Sequence, residues 1–301
     1  MAKSTLSSGI GFYMGYPLLW LTGWLPLWLL YGVSDLFFLI VATIGYRRKV
    51  ITGNLQRSFP EKSAAEIQKI RLRFYRHFCD LFVETLVLQH ISPKKIQKRV
   101  KLVNLEVLQS LLKDGHDVVA VLGHYGNWEW VPVTSLSVNA AGLSVYRPLK
   151  NKYFDRFMLQ LRNIFGSRNI PLNATAREII KYKRNQQRFV LGLISDQSPS
   201  RHELNYWTTF LNQNTPIILG PEKMAKLAKA KIVYWKMEKL KRGHYQITFI
   251  PYEGDVATAP EYAISEWQVR LLEQQIIQQP EYWLWSHKRW KYQHLYKNTP
   301  Q

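Results

Sequence analysis

Hydrophobic positions along this chain follow three successive patterns. In the first, residues 4–34 carry no charged side chain, Asp35 interrupts, and the apolar run resumes to Tyr46. About 20 apolar residues suffice to cross a bilayer, so the length allows a span. Pro17, Pro26 and Asp35 argue against one straight helix and leave a kinked span or a deep interfacial hairpin as the second form. The bland alternative is a buried helix of a soluble core. In the second pattern, residues 64–89 repeat at helical spacing, with Ile67, Ile70, Phe74, Phe78, Leu81 and Phe82 on one stripe. In the third, short apolar runs alternate with amphipathic stretches. Residues 117–122 and 189–194 are continuous apolar runs, as expected of strands covered on both faces. Residues 100–103, 143–147, 231–237 and 245–251 read as further strands, the last two joined by a turn at Lys241-Arg242-Gly243. Helices are predicted at 105–113, 151–165 (capped by Asn151, stopped by Gly166), 175–185 (capped by Thr175), 216–229 and 260–279. This alternation predicts an α/β fold with a mostly parallel central sheet flanked by helices. A membrane-associated helical segment, 1–46, would precede one catalytic domain, 47–301, with no internal repeat.

Charge sharpens the picture. Arg47-Arg48-Lys49 closes the apolar segment, Arg57 follows, and only Lys3 lies on the other side, so the positive-inside bias puts the bulk of the chain in the cytoplasm. The formal net charge of +20 suits nucleic acid, an anionic membrane or an acidic protein. Eleven Trp and seventeen Tyr favour the headgroup layer of a membrane. Nucleic acid is disfavoured because helix-turn-helix, RNA-recognition and zinc-module motifs are missing. Cys79 is the only cysteine, which excludes an intramolecular disulfide and thiolate-cluster metal sites and suits the cytoplasm. Gly11 and Gly15 form a small-residue pair that would let another helix approach.

Chemistry concentrates at Leu122-Gly123-His124-Tyr125-Gly126-Asn127-Trp128-Glu129-Trp130. His124 leaves the strand end, and Glu129 follows it by five positions. A neutral imidazole can take the proton of an attacking hydroxyl, and a carboxylate on its other ring nitrogen stabilises the imidazolium. Five positions on a regular helix are about 140° apart, so the two meet only if the backbone between them is irregular, which Gly126 permits. Arg147 and Asp196 stand at two other strand exits; the first is an anion ligand or a surface ion pair, the second a site residue or a loop cap. Gly-x-Ser-x-Gly and a P-loop string do not occur, and His202-Glu203-Leu204-Asn205-Tyr206 lacks the second histidine of a zinc protease.

The spacing of His124 and Glu129 resembles the histidine/acid signature of the glycerolipid acyltransferases. The fuller string is similar to that of one branch, the bacterial lipid A late acyltransferases. Asn54-Leu55 with Phe59-Pro60-Glu61, then Tyr146–Asn151 with Asp155, Arg162 and Gly166, resemble further blocks of that family. Asp196-Gln197-Ser198-Pro199 and the segment 280–290, Pro-Glu-Tyr-Trp-Leu-Trp-Ser-His-Lys-Arg-Trp, follow in family order. The resemblance implies acyl transfer from acyl-carrier protein to a hydroxyl of a lipid A precursor on the cytoplasmic face of the inner membrane. His124 would be the general base and Glu129 its partner. Arg147, Asn127, Asp196 and Arg162 would bind substrate, Arg147 through a phosphate or the developing oxyanion. Glu281, His287 and Arg289 lie in an aromatic block that reads equally as packing or substrate contact. No cofactor and no metal are expected. Two departures stand out: Leu211-Asn212 and Asn104 occupy places where the family often has glycine. Another glycolipid or a lysophospholipid is the alternative acceptor. A non-catalytic protein binding anionic membranes is the alternative from another class.

Overall fold

The computed structural model describes residues 12 and 14–296; Lys3 and Gly11, on which the orientation and small-pair readings partly rest, lie outside them. Its centre is a seven-stranded sheet in the order β1-β9-β8-β2-β5-β3-β4. These are β1 (Val100–Val103), β2 (Val118–Leu122), β3 (Ala141–Tyr146), β4 (Arg168–Pro171), β5 (Phe189–Ile194), β8 (Lys231–Lys241) and β9 (His244–Pro251). Every neighbouring pair is parallel except the β8–β9 hairpin. The α/β fold with a mostly parallel sheet is therefore the one the pattern predicts.

Side chains of β2 alternate between two cores, as the two-residue period of a strand requires. Val119 and Val121 join Leu191, Ile232 and Tyr234 under the helices Thr175–Arg184, Gly220–Ala228 and Ala263–Gln278. Val118, Ala120 and Leu122 join Val190, Trp235 and Phe249 on the opposite face, against Leu108, Trp130 and Phe157. The long helix Ala64–Val87 serves both: Ile67 and Phe74 enter the first core, Val83 and Leu86 the second. Its start is a capping box, with Ser63 Oγ accepting from the Glu66 N–H and the Glu66 carboxylate from the Ser63 N–H.

The apolar segment forms a helix at residues 14–22 and a second, Leu27–Ile44, which is mostly exposed and buries Leu30, Ser34 and Val41 against the long helix. Three elements escape the hydrophobic pattern. The helix Arg48–Ser58 has only Ile51 and Leu55 as large buried apolar residues, β4 is four residues long, and the β6 (Trp207–Phe210)–β7 (Gln213–Pro216) hairpin is largely polar. Pro216 ends β7 and does not open a helix, which starts at Gly220. Thr175 is not a cap: its hydroxyl donates backwards to the Leu172 carbonyl, while Asn151 does cap its helix by accepting from Tyr153 and Phe154. The two glycine departures become intelligible. Leu211 and Asn212 are the paired positive-φ residues of the β6–β7 turn, at 50° and 61°, and Asn104 sits at 58°. Glycine occupies such places without steric cost, and asparagine tolerates them.

Candidate active site

The central strands bring two residues together by register. β2 and β5 are parallel neighbours with Leu122 opposite Ile194, so two steps further along each chain His124 faces Asp196. The Asp196 carboxylate is buried and accepts three hydrogen bonds: from the His124 backbone N–H at 2.9 Å, from His124 Nδ1 at 2.6 Å and from Trp283 Nε1 at 2.7 Å. Burial alone would raise its pKa; the attraction and hydrogen bonds of His124, helped by Trp283, outweigh burial and hold it at about 2. An ionised carboxylate only accepts, so Nδ1 carries a ring proton, and in the neutral form of the imidazole Nε2 is then bare. The His124 side chain is one-fifth exposed, and Gln197 Nε2 lies 3.4 Å from Nε2.

Local sequence makes the loop possible. A Cβ on Gly123 would stand 2.7 Å from Leu272 Cδ1, and one on Gly126, where φ is +61°, 2.6 Å from Met237 Cγ. The C-terminal aromatic block backs the loop. Leu284 N–H donates to the His124 carbonyl (3.1 Å), Gly126 N–H donates to the Tyr282 carbonyl (3.0 Å), and Tyr125 bridges Trp283. His77 is fully enclosed and, through burial first and Lys239 second, stays neutral; its Nε2 donates to the Gly126 carbonyl at 3.1 Å while Nδ1 accepts from Lys239.

Beyond Gly126 the chain enters a 3₁₀ run, Trp128–Ser137, which carries Glu129 to Arg162 on the helix Lys152–Asn163. Arg162 grips that carboxylate with two bonds, Nε to Oε2 at 2.8 Å and Nη2 to Oε1 at 2.6 Å. The expected His124–Glu129 hydrogen bond is thus replaced by two separate pairs, His124–Asp196 and Arg162–Glu129. Asn127 is fully buried and donates to Glu84 Oε2 at 2.7 Å, within the scaffold. Glu84 also accepts from the hydroxyls of Tyr31 (2.9 Å) and Tyr245 (2.7 Å). Arg147 is exposed just past β3, at the end of the sheet that carries His124. Ser198 N–H donates to His287 Nε2 at 3.2 Å, and burial pushes the His287 pKa down to about 4. Arg289 is buried, with Nη2 donating to the Pro216 carbonyl, and Glu281 lies 3.6 Å from Arg73. Among the described residues no group of three or more His, Cys, Asp or Glu side chains is arranged to hold a metal ion.

Sequence reasoning missed Trp283 as a donor to Asp196, and Glu84 and His77 as supports of the loop. Nothing in their spacing marks them; each is distant in the chain and meets the loop only through packing. A base next to a buried carboxylate, at paired strand exits, can deprotonate a hydroxyl that a bound substrate supplies.

Comparisons with known proteins agree with that chemistry. The lipid A biosynthesis lauroyltransferase of Escherichia coli (strain K12) is 20% identical over 281 residues, covering 93% of this chain and 90% of that protein. The lipid A biosynthesis palmitoleoyltransferase of the same organism and the lipid A biosynthesis acyltransferase of Shigella flexneri are each 22% identical over 298 residues, covering 92% of both chains. The family described as bacterial lipid A biosynthesis acyltransferase matches residues 2–292, a stretch that includes the whole sheet and every residue of the site, and the chain belongs to that acyltransferase family.

Proposed function

We propose that the chain transfers a fatty acyl group from acyl-carrier protein to a hydroxyl of a lipid A precursor at the cytoplasmic face of the inner membrane. The 2.6 Å contact between His124 Nδ1 and the buried Asp196 carboxylate carries the reading, because it leaves Nε2 as the base. His124 Nε2 takes the proton of the acceptor hydroxyl as its oxygen attacks the thioester carbonyl. Asp196 stabilises the imidazolium, and the tetrahedral intermediate expels the thiolate of the carrier, which receives the proton. Arg147 and the Arg162–Glu129 pair serve substrate positioning, Arg147 as a ligand for a phosphate of the acceptor. The net charge of +20 supports an acidic carrier protein as donor and an anionic membrane as platform.

The test is acyl transfer from acyl-carrier protein to a lipid A precursor by the full-length protein, read by mass spectrometry. His124→Ala is expected to abolish the added acyl chain while circular dichroism stays unchanged. Turnover with acyl-coenzyme A and none with acyl-carrier protein would overturn the donor assignment. An unmodified lipid A precursor beside an acylated glycolipid of another class would overturn the acceptor.

A further inference from the structure

We propose that the N-terminal apolar segment is an in-plane anchor embedded in one leaflet, and that the chain does not cross the bilayer. The inference rests on the membrane reading above and adds the mode of attachment. Among the described residues Leu27–Ile44 is the one helix long and apolar enough to span. Its 18 residues extend about 27 Å, slightly short of the roughly 30 Å hydrocarbon layer.

The decisive observation is that the segment is fastened to the same body along its whole course. At its start, the rings of Phe12 and Tyr16 lie 6.0 Å from Tyr153 and 5.9 Å from Phe157 of the helix Lys152–Asn163. Then Gln89 Nε2 donates to the Leu19 carbonyl at 2.9 Å, and the Trp24 ring stacks on His90 at 4.2 Å. Midway, Tyr31 reaches Glu84, Ser34 donates to Asp80 at 2.9 Å, and Asp35 is gripped by Arg242 at 2.8 Å. At its end, the Tyr46 carbonyl accepts from Tyr75 at 2.7 Å and its ring stacks on Phe78. A crossing would carry the adjoining length of the long helix into the hydrocarbon as well, with the outward-facing side chains of Arg76 and Asp35.

The outer side fits a leaflet. Trp28, Leu36 and Leu39 are each more than half exposed on the side away from Leu30, Ser34 and Val41, and Leu21 and Trp24 before the helix and Ile44 at its end are exposed to the same degree. Exposed Arg47, Arg48 and Lys49 flank one end of this face. At the other end, where Trp24 stacks on His90, the chain continues into the exposed Lys94, Lys95 and Lys98. This is an apolar face with Trp at headgroup depth and a basic rim for anionic lipid. Phe12 and Tyr46 therefore stand on the same side, against the opposite-side N-terminus that the charge bias favours.

The experiment uses the full-length protein with protease-cleavable tags at both ends, in inverted inner-membrane vesicles and in spheroplasts. Both tags are expected to be cut in inverted vesicles and both protected in spheroplasts. An N-terminal tag cut only in spheroplasts would overturn the in-plane anchor while leaving membrane attachment intact. Protein that fails to sediment with the vesicles would overturn the membrane reading itself. On the exposed face, Trp28→Glu with Leu36→Glu is expected to raise the soluble fraction at least tenfold with folding retained; unchanged partitioning of the folded variant would overturn that face as the anchor.

Discussion

Which carboxylate touches His124 decides how the residue-scale chemistry is tested. In the proposed mechanism Asp196 sets the tautomer of the ring, and Glu129 acts through Arg162. Asp196→Asn is expected to lower kcat by roughly 10³–10⁴, since an asparagine facing Nδ1 favours the wrong tautomer. Glu129→Gln is expected to raise KM more than it lowers kcat; the reverse pattern for these two variants would restore Glu129 as the partner of the base. Stability gives an independent reading. The Asp196 carboxyl is held at about 2, below its ordinary 3.8, so its contribution of about 2 kcal/mol is present above pH 3.8 and lost as pH falls through about 2. Urea unfolding of Asp196→Asn is expected to show a flatter pH dependence in that window. His287 acts over a different range: its pKa of about 4 lies below the ordinary 6.5, so the unfolded chain binds the proton first and stability falls from pH 6.5 towards 4. His287→Gln is expected to remove that slope. At Gly126 a methyl group meets Met237 and a positive φ together, so Gly126→Ala should cost about 1–3 kcal/mol and displace the His124 loop.

At the scale of elements, the helix Leu27–Ile44 and the His124 loop share one buried acid. Glu84 accepts from Tyr31 on the helix Leu27–Ile44, from Tyr245 on β9 and from Asn127 beside His124. Burial raises the Glu84 pKa, so these donors matter to the cost of enclosing it. Tyr31→Phe is expected to lower stability by about 1–3 kcal/mol and to reduce kcat, although Tyr31 lies on the N-terminal apolar helix. Thermal unfolding in detergent together with the transfer assay would check both. Removal of residues 1–46 would uncover the side of the long helix that Leu30 covers, along with Val83, Leu86 and Leu88. The remainder is expected to aggregate or unfold at lower temperature, as a docked element does and a freely attached tether does not. The β6–β7 hairpin shows how a departure from a family pattern is absorbed. Leu211 takes a left-handed conformation but buries its side chain in the core, 2% exposed, and its N–H donates to Glu273 on the helix Ala263–Gln278.

For the whole molecule, charge and apolar surface act at different ranges. On the proposed function, the charge of +20 would attract an acidic carrier and anionic lipid over roughly a Debye length, about 8 Å at physiological ionic strength. kcat/KM with acyl-carrier protein is therefore expected to fall steeply between 50 and 500 mM salt, on the order of tenfold, while kcat changes little. A salt-independent kcat/KM would remove electrostatic recognition from the account. Cys79 is a further whole-molecule probe: it is fully buried and its thiol is pushed up to about 12, so thiol reagents should reach it only on unfolding.

Most of the elements were legible in the sequence, because helical and strand periodicities are local. The strands β2 and β5, the long helix, the Asn151 cap and the β8–β9 hairpin follow from residues close in the chain. The apolar N-terminal run and the position of His124 at a strand exit follow in the same way. Where periodicity is weak, as in β4, the polar β6–β7 hairpin and the helix Arg48–Ser58, the pattern fell silent, and contacts with the rest of the chain shape those elements. What only the tertiary structure decided is which strand lies beside which. Both His124 and Glu129 sit in one string, and nothing local distinguishes Glu129 from Asp196, 72 positions from His124, as the neighbour of the ring. Parallel pairing of β2 with β5 brings Asp196 to His124, the turn at Gly126 sends Glu129 to Arg162, and packing brings Trp283 and Glu84 in from distant parts of the chain. The apolar segment divides in the same way: its composition is a property of the sequence, but whether it stands across a membrane or lies along the body depends on the polar partners that meet it there.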